Sequence, residues 1–470
     1  MQLASLPGVA PKNVIFILSD DHRYDFMGFT GKVPWLETPS MDRMAAEGAH
    51  FPNAFVTTSL CSPSRASILT GLFSHTHTIV DNSAPDPGNL IFFPQYLQKA
   101  GYQTGFFGKW HMGRASSDPR PGFDHWESFK GQGVYYNPTL NINGEETKYE
   151  DSTYISDLLT EHALGWLDNR DQDKPFFMYL SHKGVHALFR PAQRHQGKYK
   201  GEKLVYPPSY YQTKDNAYKD RGWPDWVKEQ RNSWHGVDDM YHGEHDFNSF
   251  FKKYCETLLA VDESIGSVLD YLKAHQLDEN TMVIYMGDNG FSFGEHGLID
   301  KRQFYEESVK VPFLVRYPEK IKPATTITKM VQNIDIAPTV LDMAGLEQPE
   351  YLHGASFLPL LDGTDTNWRD RIFYEYYWEY YFPQTPTVHG VRTDKYKYLQ
   401  YHGIWDTNEL YDLENDPYEM NNLIKSPEHQ EMIAELRTEV YDWLESTGGM
   451  QIPLKRINSK KGDNRNKGYY

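Results

Sequence analysis

Two apolar runs of strand length, each ending in acidic residues, constrain this chain more than any other feature. Residues 13–18, NVIFIL, run into Ser19, Asp20 and Asp21; residues 281–286, TMVIYM, run into Gly287, Asp288 and Asn289. Apolar runs without polar alternation suit strands of a parallel sheet covered on both faces. Residues 102–111, YQTGFFGKWH, and 174–182, KPFFMYLSH, are two further runs, ending in Lys, Trp and His. Helical patterns separate them: SMDRMAAEGA (40–49), NLIFFPQYLQKAG (89–101, with Gly101 as a stop) and FFKKYCETLLAVDESIGSVLDYLKAHQ (250–276). From about Arg371 the texture turns β-rich, in IFYEYYWEYYF, HGVRTDKYKYLQY and NELYDLENDP, and the helical EHQEMIAELRTEVYDWLES follows. The expected fold class is α/β: a large doubly wound mixed sheet, then a small C-terminal antiparallel sheet plus helix. The expected division is a main domain over 1–370, a subdomain over 371–448 and a basic tail over 449–470. Residues 189–250 lack periodicity, and a loop region that long is usually functional or disordered.

Ligands of open α/β sheets bind beyond the carboxyl ends of the strands. If the strands ending at Asp20/Asp21 and Asp288/Asn289 are neighbours, three carboxylates and an amide oxygen converge there. So much buried negative charge demands a cation. An all-oxygen set without Cys or His indicates Ca²⁺ or Mg²⁺ rather than zinc. Either pair alone reads better as a helix cap; both together read as a metal site. The stretch SLCSPSRASILTG (59–71) places Cys61 at a helix start, with Pro63 in the first turn and Gly71 as the stop. Free N–H groups at that position favour anions and are expected to lower the thiol pKa. Arg65, about one turn on, can act as a bidentate oxyanion partner.

Lys and Arg total 47 against 64 Asp and Glu, a net charge of −17. That field argues against nucleic acid and anionic membrane as main partners, and an anionic substrate would need local cations to reach the site. No apolar run has the length of a membrane span. The first residues, MQLASLPGVAPKN, have neither the basic nor the apolar region of a signal peptide. The two cysteines, Cys61 and Cys255, have no spacing that indicates a disulfide.

CSPSRASILTG resembles, position by position, the signature of the type I, formylglycine-dependent sulfatases of the alkaline-phosphatase-like superfamily. The resemblance implies that Cys61 is oxidised by a maturase to formylglycine (3-oxoalanine), whose hydrate is the nucleophile. A geminal diol can expel sulfate by collapsing to the aldehyde, whereas a thiol would hold it. NVIFILSDDH resembles the family's first strand and metal pair, Asp20 and Asp21; GDNGFSFGEHGLIDK resembles its second pair, Asp288 and Asn289, followed by Lys301. GKWHMG gives Lys109 and His111, and PFFMYLSHKGVH gives His186, with His182 a weaker competitor. By this resemblance Arg65, Lys109 and Lys301 hold the sulfuryl group, His186 protonates the leaving alcohol, and His111 takes the proton from the remaining hydroxyl. His22 has no implied role.

The segment NAFVTTSLCSPSRASILTGLFSHTHTIVDN looks closest to the glucosamine-6-sulfatase-like branch. His75, His77, Asp81 and Asn82 are therefore expected to line the substrate pocket, with helix capping as the competing role. His389, in PTVHGVRTDKYKY, resembles the histidine that the C-terminal subdomain sends to the sugar. Trp223, Trp226, Trp234 and the FYEYYWEYYF rings could stack on sugars; a packed strand is an equal reading of the last. The implied substrate is a sulfated oligosaccharide, glycosaminoglycan or algal, whose sulfate ester is hydrolysed in exo mode, and the implied location is periplasmic or secreted. The rivals are a phosphoesterase or phosphonate monoester hydrolase of the same superfamily, and a non-catalytic binder of anionic glycans.

Overall fold

The computed structural model describes residues 3–453 apart from 7, 9, 113–115, 215–216, 241–245, 365–366 and 404–405. Its main sheet has ten strands: β1 (Asn13–Ser19), β2 (Ala49–His50), β3 (Gln103–Gly108), β4 (His125–Ser128), β5 (Thr139–Ile142), β6 (Glu145–Lys148), β7 (Phe176–Ser181), β8 (Thr281–Gly287), β9 (Phe313–Arg316) and β10 (Thr325–Thr326). Their spatial order is β10-β2-β9-β8-β1-β7-β3-β4-β5-β6. The central five, β8-β1-β7-β3-β4, are parallel. Antiparallel pairs β9–β8, β4–β5 and β5–β6 make the sheet mixed, as expected.

The uninterrupted apolar runs have a direct structural cause. Val14, Phe16 and Leu18 of β1 enter one core, with Tyr179, Ile284 and Met286. Ile15 and Ile17 enter a second core on the opposite face, with Met178, Leu180 and Val283. Successive side chains of a strand point to opposite faces, so burial on both demands apolar residues at every position. Helix α1 (Pro39–Glu47) supplies Met41 and Met44 to the second core, which α3 (Ile155–Asp168) and α4 (Phe247–Ala274) also cover. Asp246 accepts the Asn248 N–H to cap α4, and Asp262 of α4 accepts the Ser40 and Met41 N–H groups at the start of α1. Between α1 and α3 in the chain comes α2 (Cys61–Thr70), buried along its whole length. The helical pattern at 89–101 shortens to Pro94–Lys99.

Strands β11 (Arg371–Tyr376), β12 (Thr387–Thr393), β13 (Tyr396–His402) and β14 (Glu409–Asp412) form the C-terminal antiparallel sheet in that order. Helix α5 (Gln430–Thr447) closes it, with Ile433, Leu436, Val440 and Trp443 packed on Val391, Tyr398 and Leu410. The aromatic run 372–382 is not one strand. The chain turns after Tyr376 because Glu379 folds inward, its carboxylate 2.8 Å from Arg302 and 2.7 Å from the Tyr376 hydroxyl. Trp378, Tyr380 and Tyr381 are left exposed. Trp223 and Trp226 are buried structural residues: Trp223 stacks edge-on to His296 and donates to the Glu419 carbonyl, and Trp226 packs on Tyr401. Trp234 stacks on Phe382, at the end of the aromatic run. The basic tail from 454 onward lies outside the described residues.

Candidate active site

Strand register builds the site. β1 and β8 pair from Asn13 opposite Thr281 to Ser19 opposite Gly287, so Asp20/Asp21 and Asp288/Asn289 leave the sheet side by side. The Asp288 N–H donates to the Ser19 carbonyl at 2.9 Å, and the Asp21 N–H to Asp288 Oδ1 at 3.0 Å. β7 and β3 pair so that Ser181 lies opposite Gly108, which brings Lys109 and the turn holding His186 to the same edge. Asp20, Asp21 and Asp288 each offer a carboxylate oxygen, all within 4.8 Å of one another. Asn289 donates to Asp21 Oδ1 at 2.7 Å, which turns its amide oxygen elsewhere.

Cys61 opens α2 beside this cluster. Its Sγ lies 3.4 Å from Asp20 Oδ1 and 3.2 Å from Lys301 Nζ. Lys301 Nζ also contacts Asp21, and Lys109 Nζ contacts Asp20 and Gln132. Arg65 lies at the centre rather than on the rim. Its Nε is 2.9 Å from Asp288 Oδ2, and its Nη1 donates at 2.7 Å to both the Lys109 carbonyl and Ser181 Oγ. The guanidinium thus clamps α2 to the ends of β3, β7 and β8. His186 Nδ1 lies 2.6 Å from the Ala187 carbonyl, and its Nε2 is 3.8 Å from Asp21 Oδ2. Half-buried His111 has its Nδ1 3.5 Å from Ser62 Oγ.

Three buried carboxylates face three buried cations, and the balance is uneven. Burial works to raise Asp20, but Lys109, His186 and Arg65 hold it well below the usual carboxylate range. Burial raises Asp21 to about 7 despite Lys301, with Asp20 and Asp288 adding to the shift. Burial and Asp20 likewise raise Asp288. The thiol departs from the expectation for a helix N-terminus: burial and then Asp20 push Cys61 up to about 12, against Lys109 and Lys301. Desolvation and a neighbouring anion outweigh the helix dipole here, so residue 61 as cysteine is a neutral thiol.

The residues fit a hard divalent cation. Among the described residues, Asp21 Oδ2 and the Asn289 amide oxygen are buried without a hydrogen-bond partner, so two oxygens of the set still have an acceptor role to fill. Residues 12–346, carrying this whole constellation, match the family model described as Sulfatase. The chain belongs to the sulfatase family.

This sulfatase has the alkaline-phosphatase-like fold, and residues 294–446 also match a model described as N-sulphoglucosamine sulphohydrolase, C-terminal. It is 35% identical to an N-acetylglucosamine-6-O-sulfatase of Bacteroides thetaiotaomicron, over 90% of this chain and 84% of that protein. It is 31% identical to the N-acetylglucosamine-6-sulfatase of Capra hircus, over 88% of this chain and 80% of that one. A solved structure of a protein in complex with its substrate D-glucosamine-2-N,6-O-disulfate superposes with a TM-score of 0.83 at 32% identity, covering 95% of this chain and 100% of that one.

The residues expected around the sugar are held within the fold of the sulfatase. Asn82 Oδ1 accepts the Ser62 N–H at 3.0 Å, a cap on the first turn of α2. His77 is fully buried between Ser67 Oγ and the Ile79 N–H, and burial lowers it to about 3. His75 pairs with Glu375 at 2.7 Å; Tyr377 donates to the same carboxylate and lies 3.4 Å from His389. His75 and His389 therefore meet through Glu375 at the seam with the C-terminal sheet, as one buried network. Spacing in the sequence does not single out Gln132, Tyr135 or Ser181, which join the site through contacts between distant segments. Lys183 is visible in SHKGVH, between His182 and His186 in the turn that follows β7, but nothing in that segment marks it as buried.

Proposed function

We propose that this sulfatase removes sulfate from a sulfated saccharide of glucosamine type, with a 6-sulfate as the scissile ester. The observation that carries the proposal is the placement of residue 61, 3.2 Å from Lys301 Nζ and 3.4 Å from Asp20, at the rim of the three carboxylates. The glucosamine specificity draws its support from the relatives named above. A periplasmic or secreted location draws on relatives that are extracellular sulfatases. Among the described residues, no helix is long and apolar enough to cross a membrane.

Asp20, Asp21, Asp288 and Asn289 would hold the divalent ion, Ca²⁺ or Mg²⁺, which when bound supplies positive charge to a sulfate oxygen and to the nucleophile. Maturation of Cys61 to formylglycine, followed by addition of water to the aldehyde, supplies a hydroxyl nucleophile where the buried thiol is inert. Lys109 and Lys301 bind the sulfuryl oxygens against the general −17 background. Arg65 keeps α2, and so residue 61, in line with the strand ends. The Ala187 carbonyl accepts the His186 Nδ1–H, which leaves Nε2 facing the site; Nε2 delivers a proton to the leaving alcohol from the imidazolium form, which the bound ester must favour. His111 receives the proton that must leave residue 61 when sulfate departs. Burial holds both imidazoles well below their ordinary value, with the neighbouring lysines acting in the same direction. The negative charge of a bound sulfate ester acts the other way. Exposed Trp378, Tyr380 and Tyr381 are fastened to the site by the Glu379–Arg302 pair, next to Lys301, and offer rings to the sugar.

The test is sulfate release by matured enzyme from defined sulfated oligosaccharides, set against phosphate and phosphonate esters. Turnover of 6-sulfated glucosamine well above every phosphorus ester is expected; a preference for phosphonate or phosphate would overturn the proposal.

A further inference from the structure

Four lysines are buried among the described residues, Lys109, Lys183, Lys301 and Lys397. Lys109, Lys301 and Lys397 each touch at least one carboxylate. Lys183 touches none of those described. It is 4% exposed, and its ammonium lies over the Tyr135 ring, 4.7 Å from the centroid. That contact is a partial substitute for water, weaker than an ion pair. An ammonium withdrawn from water with so little in return is an unstable arrangement unless an anion arrives.

The position is also held firmly. The Asp20 N–H donates to the Gly184 carbonyl at 2.9 Å and the Val185 N–H donates to the Asp20 carbonyl at 2.7 Å, stitching the Lys183 turn to the end of β1. The His186 N–H closes the turn on the Lys183 carbonyl at 3.0 Å. The Tyr135 hydroxyl donates to the His186 carbonyl at 2.6 Å, so ring, lysine and histidine form one unit. The charges that Lys183 feels are those of the site itself: burial lowers it to about 8, Lys109 adds to this, and Asp20, Asp21 and Cys61 oppose it.

We propose that Lys183 is a further anion-binding residue of the active site, its ammonium meeting an oxygen of the sulfuryl group in the substrate and of the sulfate released. The proposal rests on the sulfatase reading for its substrate, but its binding step stands on the geometry of Lys183 alone. Lys183 thereby complements Lys109 and Lys301, whose ammonium groups each also hold a carboxylate, Asp20 and Asp21.

The experiment compares parent, Lys183→Met and Lys183→Arg, all matured and all carrying the same metal content. Inorganic sulfate is the probe, read by thermal shift and by inhibition of sulfate-ester hydrolysis. Lys183→Met is expected to weaken sulfate binding on the order of 10- to 100-fold, the size of a lost charge-assisted contact, and Lys183→Arg to recover part of it. The sulfate-free melting temperature of Lys183→Met is expected to equal or exceed the parent's, because a buried charge without a carboxylate is removed. Sulfate affinity within twofold of the parent would overturn the proposal, as would a lowered melting temperature with unchanged affinity. Sulfate binding is scored even where turnover is absent, so a parent that binds sulfate without hydrolysing esters counts against the activity and not against Lys183.

Discussion

Two buried ionic clusters of this sulfatase have similar composition and opposite character. Beneath the C-terminal sheet, Glu306 lies between Arg392 at 3.2 Å and Lys397 at 2.8 Å. Lys397 also reaches Glu419 and the Phe304 carbonyl at 2.8 Å, and the second Glu419 oxygen accepts the Glu306 N–H. Burial works to raise Glu306, but Arg392 and Lys397 keep it well below the carboxylate range. Every side-chain polar atom of these four residues has a partner. At the strand ends, by contrast, Asp21 Oδ2 and the Asn289 oxygen have none among the described residues. Similar charges therefore hide different states of completion. A closed network holds the fold together; an open one keeps capacity for a ligand.

Substitutions at the two clusters should separate along that line. The largest effect is expected at the open cluster. Asp288→Ala removes a carboxylate of the proposed metal set and the partner of Arg65, so bound metal and turnover should be lost together, the latter on the order of 10³-fold or more. Metal analysis and sulfate release on the same sample check it, and normal turnover without metal would break the contrast. At the closed cluster, Lys397→Met leaves Glu306 and Glu419 buried against each other and should cost about 3–5 kcal/mol of stability. Denaturant unfolding measures this, while kcat/KM of the folded fraction should stay within roughly twofold, since no atom of that network touches the site.

The smallest effect concerns the His75–Glu375 pair. Burial opposes ionisation of Glu375, but His75 holds it at about 2, from an ordinary value of 4.5. Burial lowers His75, and Glu375 more than reverses this, raising it above 6.5. The carboxylate contributes stability above about pH 4.5 that is lost as pH falls toward 2; the imidazolium contributes stability below 6.5 that is lost as pH rises through its folded pKa. The melting-temperature gap between parent and His75→Gln should thus be widest between pH 4.5 and 6.5. A gap that widens steadily above about pH 8 would show that the pair is not ionic.

The open cluster is largely legible in the sequence, because its residues follow the apolar runs directly and strand register does the rest. The two-sided core is legible for the same reason: after Asn13, VIFIL has no polar position to give to solvent. The thiol is not, since helix position can be read from Pro63 but the depth of burial beside Asp20 cannot. Arg65 reads as a residue facing the anion; its ties to Asp288, Ser181 and the Lys109 carbonyl depend on three strand ends meeting. The aromatic run 372–382 reads as a strand until Arg302, far earlier in the chain, draws Glu379 inward. His75, His77 and His389 show their chemistry in the sequence but not their depth.

The proposed chemistry makes residue 61 an aldehyde hydrate and not a thiol. Peptide mass analysis of residue 61 across preparations made with and without a maturase, paired with sulfate release from each, addresses this. Turnover proportional to the aldehyde fraction, and none from the pure thiol form, is the expected result. Equal turnover from chains carrying only cysteine would contradict it.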